Sequence, residues 1–289
     1  MTNLRVIPRL DIKGPNLVKG IHLEGLRVLG QPWEFAKHYY ESGADELIFV
    51  DVVASLYQRN SLRDIISKTA QEIFIPLTVA GGIRTIENIR DILRAGADKV
   101  AINTAAIQDP GFITTASRLF GSSTIVVSIE AMLENGKYLI YTDNGREYTG
   151  IEAVQWAKKA EELGAGEILL TSIDRDGTGD GYDEELTVMV SSAVSIPVIA
   201  CGGCGTLDHV VGVIRNGGAD AVSMASVLHY SFAGGRSDAV KITGEGNTEF
   251  LRSGKSLSTI TPLEIRDIKK HLQIHNIPCR HDAGAANAC

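Results

Sequence analysis

The stretch IPLTVAGGIRTIENIRDILRAGADKVAINT, residues 75–104, returns as IPVIACGGCGTLDHVVGVIRNGGADAVSMAS at residues 196–226. Each copy reads as a buried strand, a paired-glycine turn, an amphipathic helix closed by glycine, and a second buried strand ending on small polar residues. Each is a β-α-β unit. Pro76 and Pro197 lie 121 positions apart (197 − 76), as do Gly82 and Gly203 (203 − 82). Asp98 and Asp220 lie 122 apart (220 − 98), one residue having been gained at Gly217-Gly218. A period near half the chain indicates two fused halves rather than a solenoid.

The repeat continues outward. ESGADELIFVD from Glu41 is answered by ELGAGEILLTS from Glu162, and RVIPRLD from Arg5 by TIVVSIE from Thr124, which makes Glu130 the counterpart of Asp11. Eight apolar runs, near 4–10, 46–52, 76–80, 98–103, 124–130, 166–172, 197–201 and 219–224, alternate with helical patterns. That alternation, doubled, predicts an α/β fold: a single closed (β/α)8 TIM barrel with an internal half-barrel repeat. A doubly wound open sheet is the alternative; duplication into four plus four units fits closure better than a sheet with edges.

The predicted barrel spans residues 1–280, with a long glycine-bearing loop after the first strand and a hairpin at Asn144-Gly145 after the fifth. A helix is expected from about Trp33, and the closing helix near Pro262 to His275. Residues of about 231–260 read as an inserted loop, and 281–289 as a disordered tail.

The 289 residues carry 28 basic and 35 acidic side chains, a net charge of -7 without a Lys/Arg run, which gives no nucleic-acid footprint. No apolar run reaches the roughly 18 residues that span a bilayer, and MTNLRVIPRL reads as a strand rather than a signal peptide, so cytoplasm is the expected compartment. Cys201 and Cys204 have the spacing of a redox pair. The first copy has Ala80 and Ile83 there, which favours two small side chains beside a turn. Cys279 and Cys289 show no sign of pairing.

In a barrel of this kind the turns after the strands form the catalytic rim. Gly81-Gly82 and Gly202-Gly203 then face the mouth, with Asn103-Thr104 and Ala225-Ser226 beside them. Bare backbone N–H groups, hydroxyls and a following helix start suit a phosphate. A matched pair of such cradles predicts a ligand with a phosphate at each end. Between them, Arg5, Ile7, Arg9 and Asp11 share one face of the first strand, and Val126, Ser128 and Glu130 one face of the fifth. Acids ending apolar strands suggest a general acid and base, Asp11 and Glu130, unless they are rim carboxylates salt-bridged to Lys19 or Arg9. Thr171, at the end of the sixth strand, joins the candidate binding residues. Arg5, Glu46, Lys99 and Glu167 sit at the opposite strand ends, as a neutral plug or a gate. DRDGTGDGYDEE has EF-hand spacing from Asp174 to Glu185 but follows a strand, so a mobile substrate loop is preferred; no metal or cofactor is expected.

At RVIPRLDIK, LVKG, GADEL, FIPLTVAGGIR, LRAGADKVAIN, LGAGEILLTSIDRDGTGDGYD, SIPVIACGG and GGADA, spread over about residues 4–230, the chain resembles the cyclase subunits of imidazole glycerol phosphate synthase. The resemblance implies a glutaminase partner at the barrel bottom that sends ammonia through the interior. Ammonia then closes phosphoribulosyl-formimino aminoimidazole carboxamide ribonucleotide to imidazole glycerol phosphate and splits off the aminoimidazole ribonucleotide. It implies Asp11 as general acid/base, Lys19 as a substrate contact, and Gly82, Asn103 and Thr104 as one phosphate site. Asp176, Gly177, Gly203 and Ser226 serve the other side, and Arg5, Glu46, Lys99 and Glu167 form the ammonia gate. The chain departs from the family at Glu130, where an aspartate is usual, at Arg9, where a small residue is usual, and in the insertion. Those departures fit barrels that deliver ammonia to a sugar in surface-polysaccharide pathways, or a non-catalytic barrel that activates its glutaminase.

Overall fold

A computed structural model describes residues 3–53, 62–234 and 260–280. Eight strands form a closed parallel ring: β1 (Arg5–Lys13), β4 (Leu47–Asp51), β5 (Leu77–Ala80), β6 (Lys99–Ile102), β7 (Ile125–Glu134), β10 (Glu167–Ser172), β11 (Val198–Cys201) and β12 (Ala221–Met224). β12 returns to β1 and β10 pairs β7, which leaves the ring without an edge. These strands are apolar on both faces because one face fills the bore and the other meets the helices. Ile7, Ile48, Val126, Leu169, Ile199 and Ala221 pack inside, while two larger clusters lie under the helices.

The outer layer comprises α1 (Pro32–Glu41), α2 (Arg63–Ala70), α3 (Ile86–Ala95), α4 (Thr104–Gln108), α5 (Gly111–Phe120), α6 (Ala153–Glu162), α7 (Glu184–Ser191), α8 (Leu207–Arg215), α9 (Ser226–Gly234) and α10 (Ile265–Ile274). None of the described helices is long and apolar enough to cross a membrane. The duplication survives down to single hydrogen bonds. Thr85 caps α3 by accepting from Asn88 N, and Thr206 caps α8 by accepting from His209 N. Leu77 N donates to Asp98 Oδ2 at 2.9 Å, and Val198 N to Asp220 Oδ2 at 2.9 Å.

β1 and β7 outrun their expected ends because each continues into an antiparallel hairpin. The second, β8 (Lys137–Thr142) and β9 (Glu147–Glu152), is the expected one. The first, β2 (Asn16–Ile21) and β3 (Glu24–Gly30), replaces the predicted loop. Its strand β2 buries Asn16, Leu17, Val18 and Lys19 alike, so the polar alternation that marks a strand is absent from the sequence. The hairpin tips meet over the mouth, where Asn144 Nδ2 donates to Leu23 O at 3.1 Å.

α9 follows β12 at once, so residues 231–234, read as the start of the insertion, belong to a helix. Phe232 there packs on Phe35 of α1, which supplies the apolar anchor. The remainder of the insertion, 235–259, and the 281–289 tail lie outside the described residues. The closing helix starts at Ile265, three residues past Pro262, and Leu4 N bonds to Pro278 O to bring the two ends of the barrel together.

Candidate active site

Both paired-glycine turns lie at the mouth. Gly81 has φ +98, and a Cβ there would stand 2.3 Å from Asp51 O; Gly203 has φ +100, and a Cβ would stand 2.0 Å from Gly181 O. Only glycine fits either turn. One cavity is lined by Gly81, Gly82, Asn103, Thr104, Ser128 and Glu130, the other by Lys19, Asp176, Gly177, Gly202, Gly203, Ala225 and Ser226. Arg9 lines both. The cradles are unequal: α4 behind Thr104 has 5 residues, α9 behind Ser226 has 9. The Thr104 hydroxyl also accepts from Asp143 N at 3.2 Å, and Asn103 Nδ2 donates to Tyr141 O at 3.2 Å, which moor the second hairpin.

The two candidate acids are in opposite electrostatic settings. Asp11 is 2% exposed and lines neither cavity. Arg9 Nε donates to its Oδ1 at 2.7 Å, and Lys19 Nζ lies 3.7 Å from Oδ2. Burial alone would raise this carboxyl, but the Arg9 and Lys19 charges override it and hold it below the ordinary carboxylate range. Glu130 is met by uncharged donors: Gly145 N donates to its Oε2 at 2.9 Å, and the Asn103 side chain bonds it as well. Burial pushes its carboxyl up to about 7, with the Arg9 charge and that N–H opposing. Asp11 is thus ion-paired with Arg9, which keeps it in its charged form, and Glu130 has no such pairing among the described residues.

Lys19 is 2% exposed and divides itself between Asp11 and Asp176, whose carboxylate it reaches at 2.9 and 3.1 Å. Burial opposes its charge, and the two acids restore it above the ordinary value. Asp176 also accepts from Leu23 N at 3.3 Å, so the loop after β10 is pinned to the first hairpin. Gly177 packs there against Gly20 O. Thr171 Oγ1 accepts from Arg9 Nη1 at 3.4 Å, within the bore.

At the bottom, Arg5 bonds Glu46 at 2.9 Å and Glu167 at 2.5 Å, and Lys99 bonds Glu46 at 3.2 Å and Glu167 at 3.0 Å. Arg5, Lys99 and Glu167 at the starts of β1, β6 and β10, with Glu46 just before β4, close one alternating ring.

The acids of the EF-hand-like segment have separate partners: Asp174 accepts from Leu133 N, Asp176 from Lys19, and Asp183 from Leu186 N as a helix cap. Cys201 and Cys204 are both free thiols, and burial pushes Cys204 up to about 12, far from a reactive thiolate. Among the described residues, Asp208, His271 and His275 come together on the outer face between α8 and α10. There His271 Nε2 lies 3.0 Å from Asp208 Oδ1, and the His271 and His275 rings lie 4.6 Å apart. Asp51 was not singled out from the sequence, yet it lines the first cavity, 4% exposed, where the second half has Ser172. The signal that marked Asp11, an acid ending an apolar strand, marks it too.

The family model described as histidine biosynthesis protein matches residues 5–232, ending where the insertion begins. The chain is 59% identical over 210 residues to the imidazole glycerol phosphate synthase subunit HisF of Legionella pneumophila, covering 72% of this chain and 99% of that one. It is 50% identical over 251 residues to the same subunit of Methanococcus vannielii, and 50% over 250 residues to that of Methanocaldococcus jannaschii. Each of those alignments covers 80% of this chain and 92% of the relative.

Proposed function

This chain belongs to the histidine biosynthesis protein family, and from that premise we propose that it is an ammonia-dependent cyclase-lyase, the barrel subunit of an imidazole glycerol phosphate synthase. The observation that carries the reading is the pair of glycine cradles on either side of one acid–base pair, a mouth shaped for a ligand phosphorylated at both ends. The phosphoribulosyl substrate would lay one phosphate on Gly82, Asn103 and Thr104, and the other on Gly203, Ala225 and Ser226.

Ammonia adds to the ketone carbon of the ribulosyl arm. Its nitrogen must lose protons while the carbonyl oxygen gains them and leaves as water. The new nitrogen then attacks the formimino carbon to close the ring, the bond from that carbon to the aminoimidazole nitrogen breaks, and the departing nitrogen takes a proton. This sequence needs a bare carboxylate and a protonated one together. Asp11, held ionised, serves as acceptor, and Glu130, titrating near neutrality, as donor.

A glutaminase subunit would dock at the bottom, over the ring of Arg5, Glu46, Lys99 and Glu167. Beside the strand starts, Phe74 is 82% exposed and packs edge-on to Tyr40, an apolar foothold in a polar rim. The test is turnover of the phosphoribulosyl ribonucleotide by the isolated chain with free ammonium, then with glutamine once the partner is added. Turnover in both supports the reading. A chain inert toward that substrate at any ammonium level overturns it.

A further inference from the structure

Arg9 has no counterpart in the second half. Counting back from the paired acids, position 9 of β1 answers to position 128 of β7, and Ser128 occupies it with a small hydroxyl. The fold therefore does not require a long side chain there. In the first half the place holds a guanidinium that is 3% exposed, in the middle of the bore. Removing such a cation from water costs several kcal/mol unless its partners recover it.

Those partners are unequal. Nε grips Asp11 Oδ1 at 2.7 Å, a short charge-assisted bond. Nη1 reaches across to Thr171 Oγ1 on β10 at 3.4 Å and Cys201 Sγ on β11 at 3.6 Å, both long and weak. One end is firm and the other loose. The same guanidinium lines both cavities, between the cradles, and with Lys19 it covers Asp11 from them.

We propose that Arg9 is a positioning residue for the acid–base chemistry: its Nε–H clamps one oxygen of Asp11, keeping that carboxylate bare and oriented as the proton acceptor and leaving proton donation to Glu130. The proposal rests on the cyclase reading above. Around Asp11 stand Arg9 from its own strand, Lys19 from β2, Asp176 from the loop after β10, Glu130 from β7 and His229 from α9. Burial drives His229 down to about 3, so it adds no charge. Arg9 and Lys19 then balance Asp11 and Asp176, and the balance holds with Glu130 protonated. Without Arg9 the cluster is one negative charge in excess, and the carboxyls it restrains rise.

Arg9→Ser, which copies the second half, and Arg9→Lys, which keeps the charge, test this. The midpoint of Asp11, followed by carboxyl carbon NMR without substrate, should rise by a pH unit or more in Arg9→Ser and stay near wild type in Arg9→Lys. At fixed free ammonia, both limbs of the kcat/KM profile should move to higher pH in Arg9→Ser, with kcat at the optimum reduced tenfold or more because the clamp that orients Asp11 is lost, and KM little changed. Arg9→Gln, uncharged but near in size, replaces the serine variant if that one does not fold. An unmoved Asp11 midpoint, or a raised KM with unmoved limbs, overturns the clamp. Because the NMR titration needs no turnover, an inactive wild type would count against the cyclase reading and leave the clamp separately decided.

Discussion

The ends of β1 and β7 are the same structural place twice, and they have been given different electrostatic surroundings. Asp11 lies against a guanidinium and an ammonium; Glu130 lies against a backbone N–H. A duplicated barrel supplies two corresponding glycine turns, which suits a ligand with two corresponding ends. The reaction between those ends is not symmetric, since it needs one group to take a proton and another to give one. The difference between the halves shows where symmetry stops being useful: at the glycine turns it is kept, and at the carboxyls it is broken. The bottom ring is unequal as well, with Arg5, Glu46 and Lys99 from the first half and only Glu167 from the second.

The comparison is broken most severely at Asp11. Asp11→Asn removes the acceptor, and turnover with free ammonium should fall by about 10³-fold, within the range of general-base losses; a variant within tenfold of wild type would mean that Asp11 is only a structural anion. Next comes the second cradle. Gly203→Ala forces a Cβ onto Gly181 O at a positive φ, so the turn must shift at a cost of roughly 1–3 kcal/mol. Expressed as binding, that is a KM raised about tenfold or more, read in steady-state kinetics; an unchanged KM would remove Gly203 from the phosphate site.

Lys99→Ala opens the ring and leaves Glu46 and Glu167 facing Arg5 alone. Glutamine-driven activity in the complex should fall several-fold while ammonium-driven activity of the isolated chain is retained. Equal losses in both assays would make the ring a stability plug. The smallest change is Glu130→Asp, which withdraws the carboxyl by one methylene, ~1 Å. Activity should stay within about threefold of wild type or rise, with the basic limb of the profile still near 7, because the burial that raises Glu130 remains. The sign is set by the donor role: above about 7 Glu130 is ionised and can no longer give a proton, so activity at fixed free ammonia declines as pH rises. A profile flat from pH 6 to 9 would take the donor role away from it.

The sequence by itself determined the strands, the duplication and the places of the cradles. Each rests on short-range physics: buried runs at LTVA and VIAC, threonine caps at Thr85 and Thr206, and glycines where only a bare backbone fits. Those signals lie within a few residues of the structure they cause, and the repeat states them twice. The first hairpin was hidden because β2 is buried on both faces by tertiary packing, which erases the alternation that would have declared it. Which carboxyl is held ionised was equally out of reach. Asp11 and Glu130 read alike as acids ending apolar strands. Their difference comes from Arg9 folding back on Asp11, Lys19 arriving from β2, and Gly145 arriving from the second hairpin. Burial and Coulomb energies depend on distance through space rather than along the chain, so only closure of the barrel could decide them.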